Sequence, residues 1–146
     1  GRRGCLETYA SAPGIVTTAI EFLQPEKQLE AHPDIWLSSV WRARKEVSAK
    51  DIFNAAEAGD PLALSVFDYT GKILGQSLAD AVAITSPKAI IFFGGLAQAG
   101  RYILDPTKKY MEENLLQVFK NKIDMLLSGL GEKDAAILGA AALAWA

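Results

Sequence analysis

The sequence predicts a mostly helical α/β domain that contains one short pair of parallel strands. Half of the 146 residues are hydrophobic and 22% are charged, which supplies one buried core and excludes a disordered chain. In the C-terminal half, two short apolar runs alternate with helical patterns, and this order implies a parallel pair with a right-handed crossover. The length fits a single domain over residues 1–146. Two strands are too few for a stable sheet, so we expect residues outside this chain to supply others.

Charge and hydropathy exclude several classes of protein. The net charge of −2 favours neither nucleic acid nor an anionic membrane as a partner. No apolar run reaches the roughly 18–20 residues of a membrane span, and the richest stretch, residues 135–146, predicts a buried helix. Cys5 is the single cysteine, which excludes a disulfide within the chain.

The N-terminal third predicts one helix followed by a connection. Tyr9, Val16, Ile20 and Leu23 fall on one helical face, with a break expected at Pro13-Gly14. Residues 24–47 lack a clear period and predict a connection with one short helix around residues 35–44. Trp36, Val40 and Trp41 would share a face of that helix. The only histidine, His32, lies in this connection, and we interpret it as a surface residue.

Two well-punctuated helices follow. Ser48 and Asp51 form a pattern like a capping box, and Gly59 stands where a glycine ends a helix. Asp60-Pro61 starts the next helix, which can continue to about Ser86 because Pro87 stops it. A pair of glycines on this long helix, Gly71 and Gly75, marks close approach of another backbone or simply weakens the helix.

The C-terminal half carries the predicted strands. Residues 89–93 predict a strand buried on both faces, and residues 123–127 predict a second one. Asp105-Pro106 would start a helix to about Phe119, and Asp134 would start the last helix, which includes Leu143 and Trp145.

Gly94-Gly95 directly follows the first predicted strand. Ligands bind at the carboxyl ends of strands in open α/β sheets, and glycine allows a ligand to approach the backbone. On these residues alone a ligand site and a tight turn are equally good interpretations. From the residues alone, Cys5 is interpreted as a small buried hydrophobe and Glu7 as an acid in the first turn of a helix.

Several segments, in order along the chain, resemble the ROK family of bacterial sugar kinases and sugar-responsive repressors. Residues 1–7, Gly-Arg-Arg-Gly-Cys-Leu-Glu, resemble the end of its zinc motif, Cys-x-Cys-Gly-x-x-Gly-Cys-x-Glu. Residues 87–97 resemble its adenosine motif, and residues 136–141 resemble its terminal helix. Residues 49–63 match its intervening helices, whereas residues 24–47 lack a clear counterpart.

The resemblance implies the C-terminal lobe of an ATP-dependent hexose kinase with an actin-like, RNase-H-like ATPase fold. Glu7 would bind sugar hydroxyls, and Gly94, Gly95, Leu96 and Ala97 would border the adenosine of ATP, which is used with Mg²⁺. Cys5 would be one of four ligands to a structural zinc ion in the full-length protein. The implied protein is a cytoplasmic enzyme of carbohydrate metabolism and glycolysis that forms a homodimer or higher homo-oligomer.

The same resemblance implies what this chain lacks. The chain begins within the zinc motif without an initiator Met, so we expect the N-terminal lobe and most of that motif to precede it. The family's catalytic aspartate and phosphate-binding loops belong to that preceding part. We therefore expect no catalytic residue in this chain, and we expect the chain alone to be inactive and to hold no zinc.

Three functions remain open at this point. A glucokinase is favoured over a ROK repressor, in which the same lobe senses a sugar and a separate helix-turn-helix binds DNA. The Gly94-Gly95 strand end favours the kinase, because a repressor has less need of a nucleotide site. A helical scaffold or oligomerisation module without a ligand is the third interpretation.

Overall fold

A computed structural model describes residues 4–24, 36–130, 137–138 and 140–142 of the chain. Residues 137–138 and 140–142 are helical but exposed, so the prediction of a buried helix is wrong for this described part. His32, Asp134, Leu143 and Trp145 lie outside the described residues. The other helices and strands are α1 (Ala12–Leu23), α2 (Trp36–Arg44), α3 (Ala49–Glu57), α4 (Pro61–Thr85), β1 (Ala89–Phe92), α5 (Arg101–Asn114) and β2 (Asp124–Leu127). Short 3-10 helices cover Leu6–Thr8 and Ala97–Ala99.

The apolar side chains form two clusters. The larger one lies among α1, α2, α3 and the first half of α4, and it includes Ile103 of α5. The smaller one lies between the second half of α4, the end of α5 and the sheet. No helix within the described parts of the chain is both long and apolar enough to cross a membrane.

The helix α1 starts earlier than the predicted break and runs through it. Ser11 caps the helix by accepting a hydrogen bond from the Gly14 backbone N–H at 3.0 Å. Pro13 therefore lies in the first turn, where a missing N–H costs no helical hydrogen bond. The predicted break at Pro13-Gly14 is wrong for this reason, and the proline marks the start of the helix.

The short helix predicted in the connection is confirmed as α2, but its buried face differs from the prediction. Leu37 is fully buried and Val40 and Trp41 pack against the larger cluster, whereas Trp36 is 42% exposed. The predicted face shared by Trp36, Val40 and Trp41 is therefore wrong at Trp36. As the first helical residue, Trp36 lies beside Leu37, which takes the core position instead.

The predicted capping box of α3 is confirmed. Ser48 Oγ accepts from the Asp51 backbone N–H at 3.1 Å, and Asp51 Oδ2 accepts from the Ser48 N–H at 2.9 Å. Two otherwise unpaired N–H groups at the helix start are thereby satisfied. Gly59 follows the helix with φ +81°, the left-handed conformation that glycine tolerates best, so the predicted helix end is also confirmed.

The N-cap predicted at Asp60 is confirmed, and the same carboxylate has a second role. Its Oδ1 accepts from the backbone N–H groups of Leu62 and Ala63 at the start of α4, at 2.9 and 3.1 Å. Its Oδ2 accepts from the Leu37 N–H at 2.9 Å, and the residue is only 6% exposed. One buried side chain thus joins the starts of α2 and α4.

Close approach at the glycine pair of α4 is confirmed. A Cβ atom added at Gly75 would lie 2.5 Å from the Thr107 carbonyl oxygen and 2.7 Å from the Met111 nitrogen, both on α5. A Cβ at Gly71 would lie 2.7 Å from the Pro106 Cβ. The two glycines therefore allow α4 and α5 to pack with their backbones nearly in contact.

The predicted limits of α5 are wrong at both ends. The helix begins at Arg101 and ends at Asn114, so Pro106 lies inside it and Phe119 lies beyond it. A proline within a helix removes one hydrogen bond and costs about 3 kcal/mol. The Pro106 ring packs in the space left by Gly71, and such a contact between distant residues cannot be predicted from local sequence rules.

The predicted parallel pair of strands is confirmed, with Ala89 opposite Asp124 and Phe92 opposite Leu127. The prediction that the first strand is buried on both faces is wrong. Ile90 packs against the smaller cluster, but Ile91 is 66% exposed and Phe93 is 51% exposed. Side chains alternate between faces along a strand, so Ile90 meets α4 and α5 while Ile91 lies on the opposite, exposed face.

Candidate functional site: a cleft at the end of strand β1

The chain turns sharply where β1 ends. Gly94 has φ +99°, and its carbonyl oxygen accepts from the Ala97 N–H at 3.1 Å, which starts the short 3-10 helix Ala97–Ala99. The Gly95 carbonyl oxygen accepts from the Gln98 N–H at 3.3 Å. The left-handed conformation is needed at Gly94, whereas Gly95 is exposed on the surface of the turn.

The turn forms one wall of a cavity of about 410 Å³. A volume of this size falls within the range of roughly 300–1,000 Å³ typical of small-molecule pockets. Side chains from α1, α3 and α4 form the other walls. The lining residues are Ala12, Ile15, Ala49, Lys50, Phe53, Phe67, Gly95, Leu96, Gln98 and Ala99.

The inner part of this cavity is apolar and its edge is polar. Ile15, Phe67 and Ala99 are buried and form the floor. Lys50 and Gln98 are exposed and lie at the edge. Pockets of this kind suit ligands with one apolar part and one polar part, because a few polar groups fix the orientation of a ligand that apolar walls hold.

The four residues that the resemblance assigns to adenosine occupy different positions in the turn. Gly95 and Leu96 line the cavity. Gly94 shapes the turn through its positive φ, and Ala97 is buried beneath it. The assigned segment therefore lies at the cavity, with two residues that face it and two that support them.

Glu7 lies in the 3-10 helix Leu6–Thr8 and is exposed. Its backbone carbonyl oxygen accepts from the Ser11 hydroxyl at 2.7 Å, which ties this short helix to the start of α1. Gly14 allows the close packing, because an added Cβ there would lie 2.7 Å from the Thr8 carbonyl oxygen. The Glu7 backbone is thus held in place while its carboxylate is accessible.

Cys5 is exposed directly before the same 3-10 helix, so its interpretation as a buried hydrophobe is wrong. Its carbonyl oxygen accepts from the Thr8 N–H at 2.9 Å. A structural zinc site needs four ligands. No group of three or more His, Cys, Asp or Glu side chains suited to a metal ion occurs within residues 4–24, 36–130, 137–138 and 140–142. Those residues alone therefore do not fit a zinc site, and Cys5 offers one sulfur ligand.

Sequence reasoning missed most of the cavity lining. Ile15, Lys50, Phe53 and Phe67 come from three helices and meet only in the folded chain. The sequence predicts helices over residues 49–63 but no binding role for Lys50 or Phe53. The spacing of these residues is that of ordinary amphipathic helices, so it carries no signal for a ligand site.

Fold and cleft together define an α/β lobe with a largely apolar, ligand-sized cavity at the carboxyl end of a parallel strand. The chain belongs to the ROK family, whose family model matches residues 1–146. The predicted fold class, part of an actin-like ATPase fold with a short parallel β pair, is confirmed by the similarity to solved ROK structures.

Similar proteins include both enzymes and regulators. The chain is 34% identical over 139 residues to a glucokinase of Halalkalibacterium halodurans, covering 95% of the chain and 40% of that protein. It is 28% identical over 143 residues to the DNA-binding transcriptional dual regulator NagC of Escherichia coli K12, covering 98% of the chain and 32% of the regulator.

A solved structure is also similar. It is a ROK family glucokinase from Streptomyces griseus in complex with glucose and AMPPNP, with a TM-score of 0.77 and 30% identity. The alignment covers 98% of this chain and 45% of the glucokinase. The chain thus spans less than half the length of each of these three proteins.

Proposed function

We propose that this chain is the C-terminal lobe of an ATP-dependent hexose kinase, and that the enzyme is a glucokinase. The observation that carries the proposal is the cavity at the end of β1, lined by Gly95 and Leu96. Its position agrees with the adenosine motif that the sequence resembles. The 34% identity to a glucokinase and the likeness to a glucokinase bound to glucose and AMPPNP support the same function.

The two ligands of such a kinase would meet different parts of this chain. The nucleotide base would lie in the apolar part of the cavity, against the backbone of Gly95 and Leu96. The Glu7 carboxylate would accept hydrogen bonds from sugar hydroxyls, since an ionised carboxylate has acceptor sites only. Mg²⁺ would accompany ATP as it binds.

The remaining parts of the active enzyme would come from outside this chain. The residue that takes the proton from the sugar hydroxyl would belong to the N-terminal lobe, so this chain would contribute no catalytic residue. Cys5 would supply one ligand to a structural zinc ion, with the other three from the preceding residues. The full-length enzyme would be cytoplasmic and would form a homodimer or higher homo-oligomer.

The experiment that tests this function is a coupled ADP-release assay of the full-length protein. Glucose, fructose, N-acetylmannosamine and allose would be compared at saturating ATP. We expect glucose to give the highest kcat/KM. A clear preference for another hexose would retain the kinase and overturn the glucokinase assignment.

The alternative function is the sugar-sensing domain of a ROK repressor, which the 28% identity to NagC favours. A repressor would release no ADP with any hexose, and the residues preceding this chain would include a helix-turn-helix. Sugar-dependent binding to operator DNA, measured by a mobility shift, would then replace phosphoryl transfer as the activity.

A further inference from the structure

Lys50 is the one ionisable residue in the lining of the β1 cavity. It is the second residue of α3 and is exposed at the edge of the cavity, near Gly95 and Gln98. The described lining contains no acidic side chain that would neutralise it. The cavity therefore presents a positive charge to whatever occupies its mouth.

The nearest acid in the sequence, Asp51, attracts Lys50 electrostatically but makes its hydrogen bonds and its ion pair with other residues. Asp51 Oδ2 accepts from the Ser48 hydroxyl at 2.6 Å and from its N–H at 2.9 Å, and Asp51 Oδ1 lies 3.8 Å from the Arg44 guanidinium. Among the described residues Lys50 forms no ion pair. Its ammonium group is thus available to a ligand.

Two helices start at the cavity, and one of them adds to this charge. Ala12 is the first residue of α1 and Ala49 is the first residue of α3, and both line the cavity. A helix carries a partial positive charge at its N-terminus, which adds to the attraction for an anionic group nearby. At α3 this partial charge is met by the capping carboxylate of Asp51, so Lys50 and the start of α1 supply the positive charge at the polar edge, whereas the floor is apolar.

We propose that Lys50 binds the phosphate groups of the nucleotide at the mouth of the cavity while the base lies on the apolar floor. The inference rests on the proposed nucleotide site and adds a residue that the resemblance does not assign. A flat base gains most from contact with Phe53, Phe67 and Ile15. Its phosphates must stay near water and cationic groups, because desolvating an unpaired anion is costly.

The test compares Lys50→Met with Lys50→Arg in the full-length protein. Calorimetric titrations would measure the affinities for ADP and for adenosine, which lacks phosphate. We expect Lys50→Met to weaken ADP binding about five- to tenfold, as for loss of one partly screened charge-assisted bond, and to change adenosine binding less than about twofold. Lys50→Arg should restore most of the ADP affinity, since arginine also binds phosphate.

A matched control is Lys108→Met, an exposed lysine on α5 that does not line the cavity. Its ADP affinity should equal that of the wild type. The difference in ADP affinity between the wild type and Lys50→Met should decrease as the salt concentration rises from about 0.05 to 0.5 M, because salt screens exposed charges. Thermal melts would confirm that each variant folds.

Two results would overturn the proposal while leaving the nucleotide site intact. Unchanged ADP affinity in Lys50→Met would identify Lys50 as a solvated edge residue. Equal weakening of ADP binding and adenosine binding would show that Lys50 contacts the base or contributes only to packing. If the wild-type protein binds neither ligand, the proposed kinase function itself fails, and the assignment of Lys50 fails with it.

Discussion

At the scale of single residues, Glu7 is the side chain on which sugar binding is expected to depend. In the full-length protein, if it is the proposed kinase, Glu7→Gln replaces one acceptor oxygen with a donor that would face sugar hydroxyls. Loss of one charge-assisted hydrogen bond costs about 1.5–3 kcal/mol, or roughly ten- to a hundredfold in kcat/KM for the sugar. Steady-state kinetics with sugar and ATP varied separately would measure this, and the ATP KM should change little.

The control for Glu7 is Glu113→Gln, an exposed acid near the end of α5. It should leave both kinetic constants unchanged. An unaltered sugar kcat/KM in Glu7→Gln would show that this carboxylate only favours the helix start.

Gly95 is the residue that tests the nucleotide site. Because Gly95 lines the cavity, Gly95→Val would place a branched side chain where the base is expected to approach. We expect the ATP KM to rise at least about tenfold, or roughly 1.4 kcal/mol in binding terms, with sugar affinity little changed. Initial-rate kinetics and a thermal melt would separate lost binding from lost folding.

The neighbouring glycine offers a useful contrast. Gly94 has the positive φ that the turn requires, so Gly94→Ala would strain the backbone. We expect its main effect to be a lower free energy of unfolding rather than weaker ligand binding. A Gly95→Val variant that folds normally and keeps its ATP KM would mean that Gly94-Gly95 is only a tight turn.

Asp51 predicts a pH dependence of stability. The hydrogen bond from the Ser48 side chain, the largest cause, lowers the pKa of Asp51 from its ordinary value of 3.8, although partial burial opposes the shift. The folded state therefore binds a proton less readily than the unfolded state. The stabilisation that ionised Asp51 provides is fully present above about pH 3.8. It is lost as the pH falls through the lower pKa that Asp51 has in the folded protein.

Denaturant melts between pH 7 and pH 2 would measure this effect. Asp51→Asn should lower stability at pH 7 and flatten the loss of stability below pH 4 relative to the wild type. Asp105→Asn, an exposed acid on α5 that forms no cap, is the control and should follow the wild-type curve. Parallel curves for wild type and Asp51→Asn would contradict the assignment.

At the scale of helices and strands, the contact between α4 and α5 depends on glycine. Gly75→Ala would place a Cβ 2.5 Å from the Thr107 carbonyl oxygen, closer than real Cβ atoms approach a backbone. Overpacking costs about 1–3 kcal/mol, which outweighs the gain of about 1 kcal/mol in helix propensity. Because the added Cβ would meet backbone atoms, we expect the overpacking cost to lie in the upper part of its range and urea denaturation to show a net loss of about 1–2 kcal/mol.

Gly129 provides the matched control for this helix contact. A Cβ added there meets no atom within 4 Å, so Gly129→Ala should change stability by less than about 0.5 kcal/mol. If Gly75→Ala proves as stable as Gly129→Ala, the backbones of α4 and α5 separate easily and their contact is not tight.

At the scale of the whole molecule, the sheet has one face against the helices and one face in solvent. Ile90 and Met125 pack against the smaller cluster, whereas Ile91 lies on the opposite face. In this chain we expect Ile90→Thr to lower the free energy of unfolding by about 1–3 kcal/mol and Ile91→Thr to lower it by less than about 0.5 kcal/mol. Denaturation of the two variants side by side would measure the difference.

The same pair tests the proposed lobe architecture. If further strands or helices cover the exposed face in the full-length kinase, Ile91→Thr should become costly there. Equal effects of Ile91→Thr in this chain and in the full-length protein would contradict a covered face.

The local sequence determined where α3 and α4 start and stop. The caps at Ser48 and Asp60 and the end at Gly59 depend on hydrogen bonds and backbone conformations within two to four residues, so short patterns suffice to predict them. The two strands were also predictable, because a short apolar run bounded by turn residues is typical of a β-strand. The resemblance supplied the segment at the cleft, Gly94 to Ala97, that periodicity left open.

Only the tertiary structure decided how those elements are used. Pro106 lies inside α5 because Gly71 on another helix leaves room for its ring, and Ile91 is exposed because only one face of the sheet meets α4 and α5. Asp60 holds the start of α2 across a separation of 23 residues. Lys50, Phe53 and Phe67 become neighbours of Gly95 only when four segments pack around one cavity. Such contacts depend on the sum of many packing energies between distant residues, and no local pattern records them.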